Sequence, residues 1–142
     1  MKSYKEFIYL KTEKLVETIN ITPYVKEICQ RSGIKEGFVL VFPHHTSSAV
    51  YLSDSDPNLT EDYQGFLNRF VPAGIGYKHD MVDYKKNADG HLKSIITGHH
   101  ITLPLSDGKL DLGIYQTIYY AEFDGQRKKE ILVKVIGEGF ER

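Results

Sequence analysis

Apolar and polar residues alternate over residues 3–11, with Tyr4, Ile8 and Leu10 on one side and Phe7 and Tyr9 on the other. That period of two marks a strand. Residues 14–21 read as a second strand. Thr22-Pro23 then opens a helix, with Thr22 as N-cap and Pro23 at the first helical position. Val25, Ile28 and Cys29 form its apolar stripe, and Gly33 ends it. The unbroken apolar run 38–42, stopped by Pro43, predicts a strand covered on both faces. Another strand is expected over 49–53. A helix follows from Pro57 to about Phe70, with Leu59, Tyr63, Phe66, Leu67 and Phe70 on its buried side. Residues 71–86 have no period. A third helix runs from an N-cap at Asn87 to Gly98, and Ala88, Leu92, Ile95 and Ile96 are its expected buried stripe.

The last third predicts strands at 100–105, 112–123 and 131–136, joined by turns at 106–109 and Asp124-Gly125. The order ββ-α-ββ-α-α-βββ lacks regular βαβ alternation. It reads as one α+β domain over 1–142, with a mainly antiparallel or mixed sheet packed with helices.

Composition narrows the function classes. The chain has 142 residues, 41% hydrophobic and 26% charged, with a formal net charge of -1. A duplex-binding module normally carries a basic excess, and none exists here. The single cysteine, Cys29, excludes a disulfide framework and a multi-cysteine zinc site. No apolar run spans a bilayer, and the N-terminus has no apolar signal segment. A cytoplasmic protein without nucleic-acid or membrane partners is expected.

Histidines carry the candidate chemistry. His45 follows a covered strand, and Thr46 and Ser47 add hydroxyls and backbone N–H groups suited to an anion. An ordinary polar turn is the competing reading. His91 lies in the first turns of its helix, where free N–H groups attract anions and the dipole favours a neutral ring. His79 stands in the irregular segment. Three imidazoles from separate segments could ligate a transition metal. In the strand 112–123, Gln116 and Glu122 share a side with Ile114, Ile118 and Tyr120, so burial would demand partners for both. Six residues separate them by about 20 Å on a straight strand. One small ligand reaches both only through a bend or a neighbouring subunit. Arg127 can grip phosphate with paired bonds.

These pieces together resemble the YjbQ family, also called uncharacterised protein family 0047. The resemblance rests on His45-Thr46-Ser47, Asp56-Pro57, Tyr77-Lys78-His79 and Asn87-Ala88-Asp89-Gly90-His91-Leu92. It continues through Leu103-Pro104-Leu105, Gly108, Leu112-Gly113, Gln116, Glu122, Asp124-Gly125 and Arg127. It implies a curved sheet, a homotrimer, and a polar site built from His45, His79 and His91. It also implies a weak, secondary thiamine phosphate synthase activity, which joins a hydroxymethylpyrimidine diphosphate to a thiazole phosphate and releases pyrophosphate. Three positions depart from the family's usual pattern: Gly90 stands for Ala, Ile114-Tyr115 for Thr-Trp, and Gln126 for Pro.

The expectation is a transferase-like site for a phosphorylated small molecule. His45, His79, His91 and Glu122 are the catalytic candidates, and Thr46, Ser47, Asn87, Gln116 and Arg127 the substrate-binding ones. A divalent metal, zinc first, would sit on His45, His79 and His91. The alternative is a non-catalytic oligomer that binds a metal or a phosphorylated metabolite.

Overall fold

A computed structural model describes residues 1–139. Two antiparallel sheets stack in an α+β architecture. The larger has the strand order β1-β8-β3-β5-β6, built from β1 (Lys2–Lys11), β3 (Ile34–Pro43), β5 (Ile101–Ser106), β6 (Lys109–Leu110) and β8 (Lys128–Gly139). The smaller has the order β2-β7-β4, from β2 (Glu17–Asn20), β4 (Ser48–Ser53) and β7 (Thr117–Glu122).

The main core lies between the sheets. Val39, Val41, Ile131, Val133 and Val135 of the larger meet Val50, Ile118 and Tyr120 of the smaller. Helix α1 (Thr22–Ser32) adds Val25, Ile28 and Cys29 to this core. The other face of the smaller sheet carries Ala49 and Ala121, which pack with Leu67 of α2 (Pro57–Phe70). Central β7 is therefore covered on both faces, and every residue from Ile118 to Glu122 is buried.

The run 38–42 forms a strand but is fully covered on one face only: Val39 and Val41 are buried, and Phe38 is 63% exposed. The elements depart from the sequence expectation in four further places. The strand expected over 112–123 is strand only from Thr117. Before it the chain turns: Gln116 N–H donates to Gly113 O at 3.0 Å, and Gly113 N–H donates to the Gln116 side-chain oxygen at 2.8 Å. Thr22 is the first helical residue rather than the cap. Its hydroxyl instead accepts the Ile118 N–H at 2.8 Å, tying α1 to β7. Asn87 does precede α3 (Ala88–Thr97), but its side chain caps nothing. The Asp80 carboxylate, from the 3₁₀ turn Lys78–Met81, accepts the Ala88 N–H at 3.0 Å in its place.

The fourth departure concerns which helix faces are covered. Of the expected stripe of helix α3 only Ala88 is buried, and the helix presses Gly90, Lys93 and Ser94 inward beside it. Ser94 Oγ donates to Ser48 O at 2.5 Å. Lys93 Nζ donates to Asn68 and Asp89 and so links α3 to α2. Small inward residues let α3 lie close to β4, which turns Leu92, Ile95 and Ile96 outward. Leu59, Phe66 and Phe70 of α2 are likewise exposed, Phe70 by 64%. Among the described residues, no helix is long and apolar enough to cross a membrane.

Candidate functional site

The turn after β3 is pinned from two sides. His44 N–H donates to Glu130 O at 3.2 Å, and Phe123 N–H donates to Ser47 O at 2.9 Å. This places residues 44–47 between the start of β8 and the end of β7. Helix α3 approaches from the third side, and Gly90 makes the approach fit. A Cβ there would stand 3.2 Å from Phe123 Cβ and 3.7 Å from Ser47 Cβ. An alanine would be a tight fit at this spot, so glycine's role here is close packing.

A cavity of about 360 Å³ opens at this junction. His45, Ser47, His91, Asp124, Arg127 and Lys129 are among its lining residues. Asp83, Lys85 and Lys128 also reach it, and none of these three was expected from the sequence. Lys128 and Lys129 are adjacent but differ in burial. Strand alternation resolves them, since β8 buries Lys129 and exposes Lys128.

Hydrogen bonds assign the proton on two of the histidines. The backbone N–H of Glu130 donates to His45 Nε2 at 3.0 Å. That nitrogen must present its lone pair, so the neutral ring carries its proton on Nδ1. Burial, and then the Lys129 cation, hold the His45 imidazole below the ordinary histidine value. His45 is therefore a fixed N–H donor. His91 is the opposite case. Its Nδ1 lies 3.1 Å from Thr46 O and 3.2 Å from Ser47 Oγ. A carbonyl only accepts, so Nδ1 carries the proton and Nε2 keeps the lone pair.

His79 sits edge-on to His91, with ring centroids 4.9 Å apart. Its Nε2 lies 3.1 Å from the Asn87 side-chain oxygen and 3.3 Å from Asp83. Asn87 Nδ2 donates to Asp124 at 2.9 Å, and the same carboxylate oxygen accepts from Arg127 at 2.8 Å. Asn87 thus joins His79 to the Asp124–Arg127 pair, as a connector between site groups.

Glu122 lies beneath the cavity. It is fully buried and accepts from Tyr120 Oη at 2.5 Å, Lys129 Nζ at 2.7 Å and Asp124 N–H at 3.1 Å. It faces no solvent and holds Lys129 and the Asp124 turn in place. Gln116 is exposed in the turn before β7 and is not among the cavity's lining residues. The two carboxamide and carboxylate groups are thus kept apart, as their spacing in the sequence requires.

The turn bearing Arg127 is well held. Gln126 adopts φ +67, which a proline ring cannot reach. Its N–H donates to Thr12 Oγ1 at 2.9 Å, and its side chain donates to Glu13 O at 3.1 Å. Gly125 is required beside it, because a Cβ would fall 2.0 Å from Thr12 Oγ1.

The donor set does not fit the expected metal. His45 Nε2 is occupied and its Nδ1 bears a proton, so this imidazole has no lone pair to give. Among the described residues, no group of three or more His, Cys, Asp or Glu side chains could hold a metal ion.

A second, more apolar cavity of about 570 Å³ adjoins the first. Thr46 and His91 line both. Tyr77, Lys78, His79, Ala88 and Leu92 complete its wall.

Comparison with known proteins places the chain in a family. Residues 6–138 match the family model for UPF0047 proteins, YjbQ-like. A UPF0047 protein of Archaeoglobus fulgidus is 43% identical, covering 89% of this chain and 97% of its own. One from Methanothermobacter thermautotrophicus is 36% identical, covering 97% and 95%. A crystal structure of a YbjQ-like protein of unknown function from Sulfolobus solfataricus superposes with a TM-score of 0.92 at 33% identity, covering 96% of this chain and 99% of that one. A YjbQ/UPF0047 protein from Clostridium acetobutylicum gives 0.85 at 32% identity, covering 92% and 99%. The chain belongs to the UPF0047, YjbQ-like family.

Proposed function

We propose that the chain binds a phosphorylated small molecule at the junction of β3, α3 and the β7–β8 turn. The observation that carries this reading is the fixed Nδ1–H of His45, set beside Arg127 and Lys129 in one cavity. Three donors of this kind suit a phosphate or diphosphate, and guanidinium offers paired bonds. Thr46 and Ser47 flank the anion. The rest of the molecule lies along the apolar cavity at Tyr77, Ala88 and Leu92.

His91 stands where the two cavities meet, with Nε2 free to take a proton from the bound molecule. His79, tied through Asn87 to Asp124, is its neighbour. Arg127 and His45 would hold a departing pyrophosphate. This assignment accommodates a weak thiamine phosphate synthase activity, in which pyrophosphate leaves a hydroxymethylpyrimidine carbon as the thiazole phosphate bonds to it.

The proposal includes a cytosolic homotrimer. The exposed apolar residues of α2 and α3 support it: Phe66, Phe70, Ile95 and Ile96 are all exposed, and Phe66 stacks on Phe70.

Calorimetric titration with pyrophosphate tests the binding. Saturable binding that Arg127→Ala weakens by roughly tenfold or more supports the reading, in line with the 1.5–3 kcal/mol of a charged hydrogen bond. Absence of binding at millimolar pyrophosphate refutes it. Turnover above that of His91→Ala separates an enzyme from a binding module.

A further inference from the structure

A second histidine pair stands outside the anion cavity. Helix α3 ends at Gly98, whose φ of +104 takes the chain out of the helix. Two residues, His99 and His100, then lead into β5. Neighbouring side chains in an extended chain point to opposite sides. Here they do not. The two rings stack on each other with centroids 4.9 Å apart and planes 29° apart. Both also rest near Phe42, with centroids 5.9 Å and 5.6 Å from its ring. Phe42 and the glycine exit therefore hold the two imidazoles side by side.

The consequence is a close approach of two like atoms. His99 Nδ1 and His100 Nδ1 lie 2.9 Å apart. Two lone pairs do not face each other at that distance unaided. In the metal-free pair, one Nδ1 carries a proton and donates it to the other. A divalent cation can replace that proton and take both lone pairs.

We infer that His99 and His100 form a two-imidazole site for a divalent transition-metal ion of the zinc or nickel type. Imidazole nitrogen suits these ions. Two nitrogens on one tetrahedral zinc, each about 2.0–2.1 Å from it, lie about 3.3 Å apart. The observed pair is a few tenths of an ångström short of that spacing, within reach of a small ring rotation. The end of α3 adds a favourable field, because its terminal carbonyls carry partial negative charge where the cation would sit. Both rings are exposed, so water completes the coordination.

His44 also approaches Phe42, at 6.1 Å, but its Nδ1 is engaged by the Glu130 carboxylate at 2.7 Å. It is not part of the set. The contrast with His45 is chemical: that ring offers a proton to the anion cavity, whereas this pair offers lone pairs to a cation.

The test is a titration of metal-free wild-type protein with zinc chloride in phosphate-free buffer. Long-range proton–nitrogen spectra of the histidine rings report which nitrogen is bound. The expected result is a joint shift of the Nδ1 signals of His99 and His100 with one equivalent of zinc, while His45 stays in place. His99→Ala and His100→Ala should each weaken binding by more than about tenfold, the range seen when a metal site loses even a supporting group. Their unchanged spectra elsewhere would show that both variants are folded. Zinc that shifts other histidines first, shifts none, or binds both variants as it binds wild type overturns the site.

Discussion

The Glu130 backbone N–H donates to His45 Nε2 at 3.0 Å, and this single bond decides what His45 can do. It places the ring proton on Nδ1, where it points away from the backbone as a hydrogen-bond donor. No substitution at position 130 other than proline removes this backbone donor. The assignment is therefore built into the start of β8 rather than into a neighbouring side chain.

The first prediction concerns metal content. His45 has no lone pair to give, so His45→Ala should keep its zinc uptake. Elemental analysis of protein loaded with zinc and dialysed checks this. Loss of the bound zinc in His45→Ala would restore the three-imidazole centre that the sequence suggested.

The second prediction concerns pH. Burial and Lys129 hold the His45 imidazole below the histidine value of 6.5. The unfolded chain then binds this proton more readily than the folded chain. Its contribution to stability is fully present above pH 6.5 and is lost as pH falls below that value. Denaturation midpoints should decline below pH 6.5 in the wild type. His45→Gln, which can still accept from Glu130, should decline less. Parallel curves for the two proteins would contradict the assignment.

The third prediction concerns the buried pair. Lys129 and Glu122 are 5% and 0% exposed and 2.7 Å apart. Lys129→Met strands a buried carboxylate and should cost about 3–5 kcal/mol in urea denaturation. Lys129→Met with Glu122→Leu should recover much of that loss. Equal instability of the single and double variants would mean that packing, not charge pairing, holds this layer.

The fourth prediction concerns assembly. Light scattering at micromolar concentration should give three times the 16.3 kDa chain mass. Ile95→Asp together with Phe70→Asp should lower it to the monomer. A monomeric wild type would leave the exposed faces of α2 and α3 to some other use.

Much of this molecule is visible in its residue pattern, and the exceptions share a cause. The three helices, the strand over 38–42 and the β7–β8 turn follow from local period and turn chemistry, although that strand is fully covered only on the Val39–Val41 face. The apolar stripes of α2 and α3 are visible too, but what covers them is not. Gly90 and Ser94 win the inward position on α3 because β4 and Phe123 come so close, and that is a tertiary fact. Gln116 was placed in a strand because its apolar neighbours continue the alternation. The Gly113 turn interrupts it. Among the candidate residues, His45, Asn87, His91 and Arg127 line one cavity, and His79 stands beside His91. Lys129 and Asp83 escaped notice because nothing in their local sequence distinguishes a lysine under a cavity from one in water.

The central claim is that His45 donates a proton-bearing Nδ1 to a bound phosphate group. Long-range proton–nitrogen spectra of the His45 ring, recorded before and during titration with pyrophosphate at pH 7.5, test it most directly. The account predicts a protonated Nδ1 and an unprotonated Nε2 in the free protein, with the Nδ1–H signal shifting in step with saturation. A proton on Nε2, or a His45 signal unmoved while pyrophosphate binds, would contradict it.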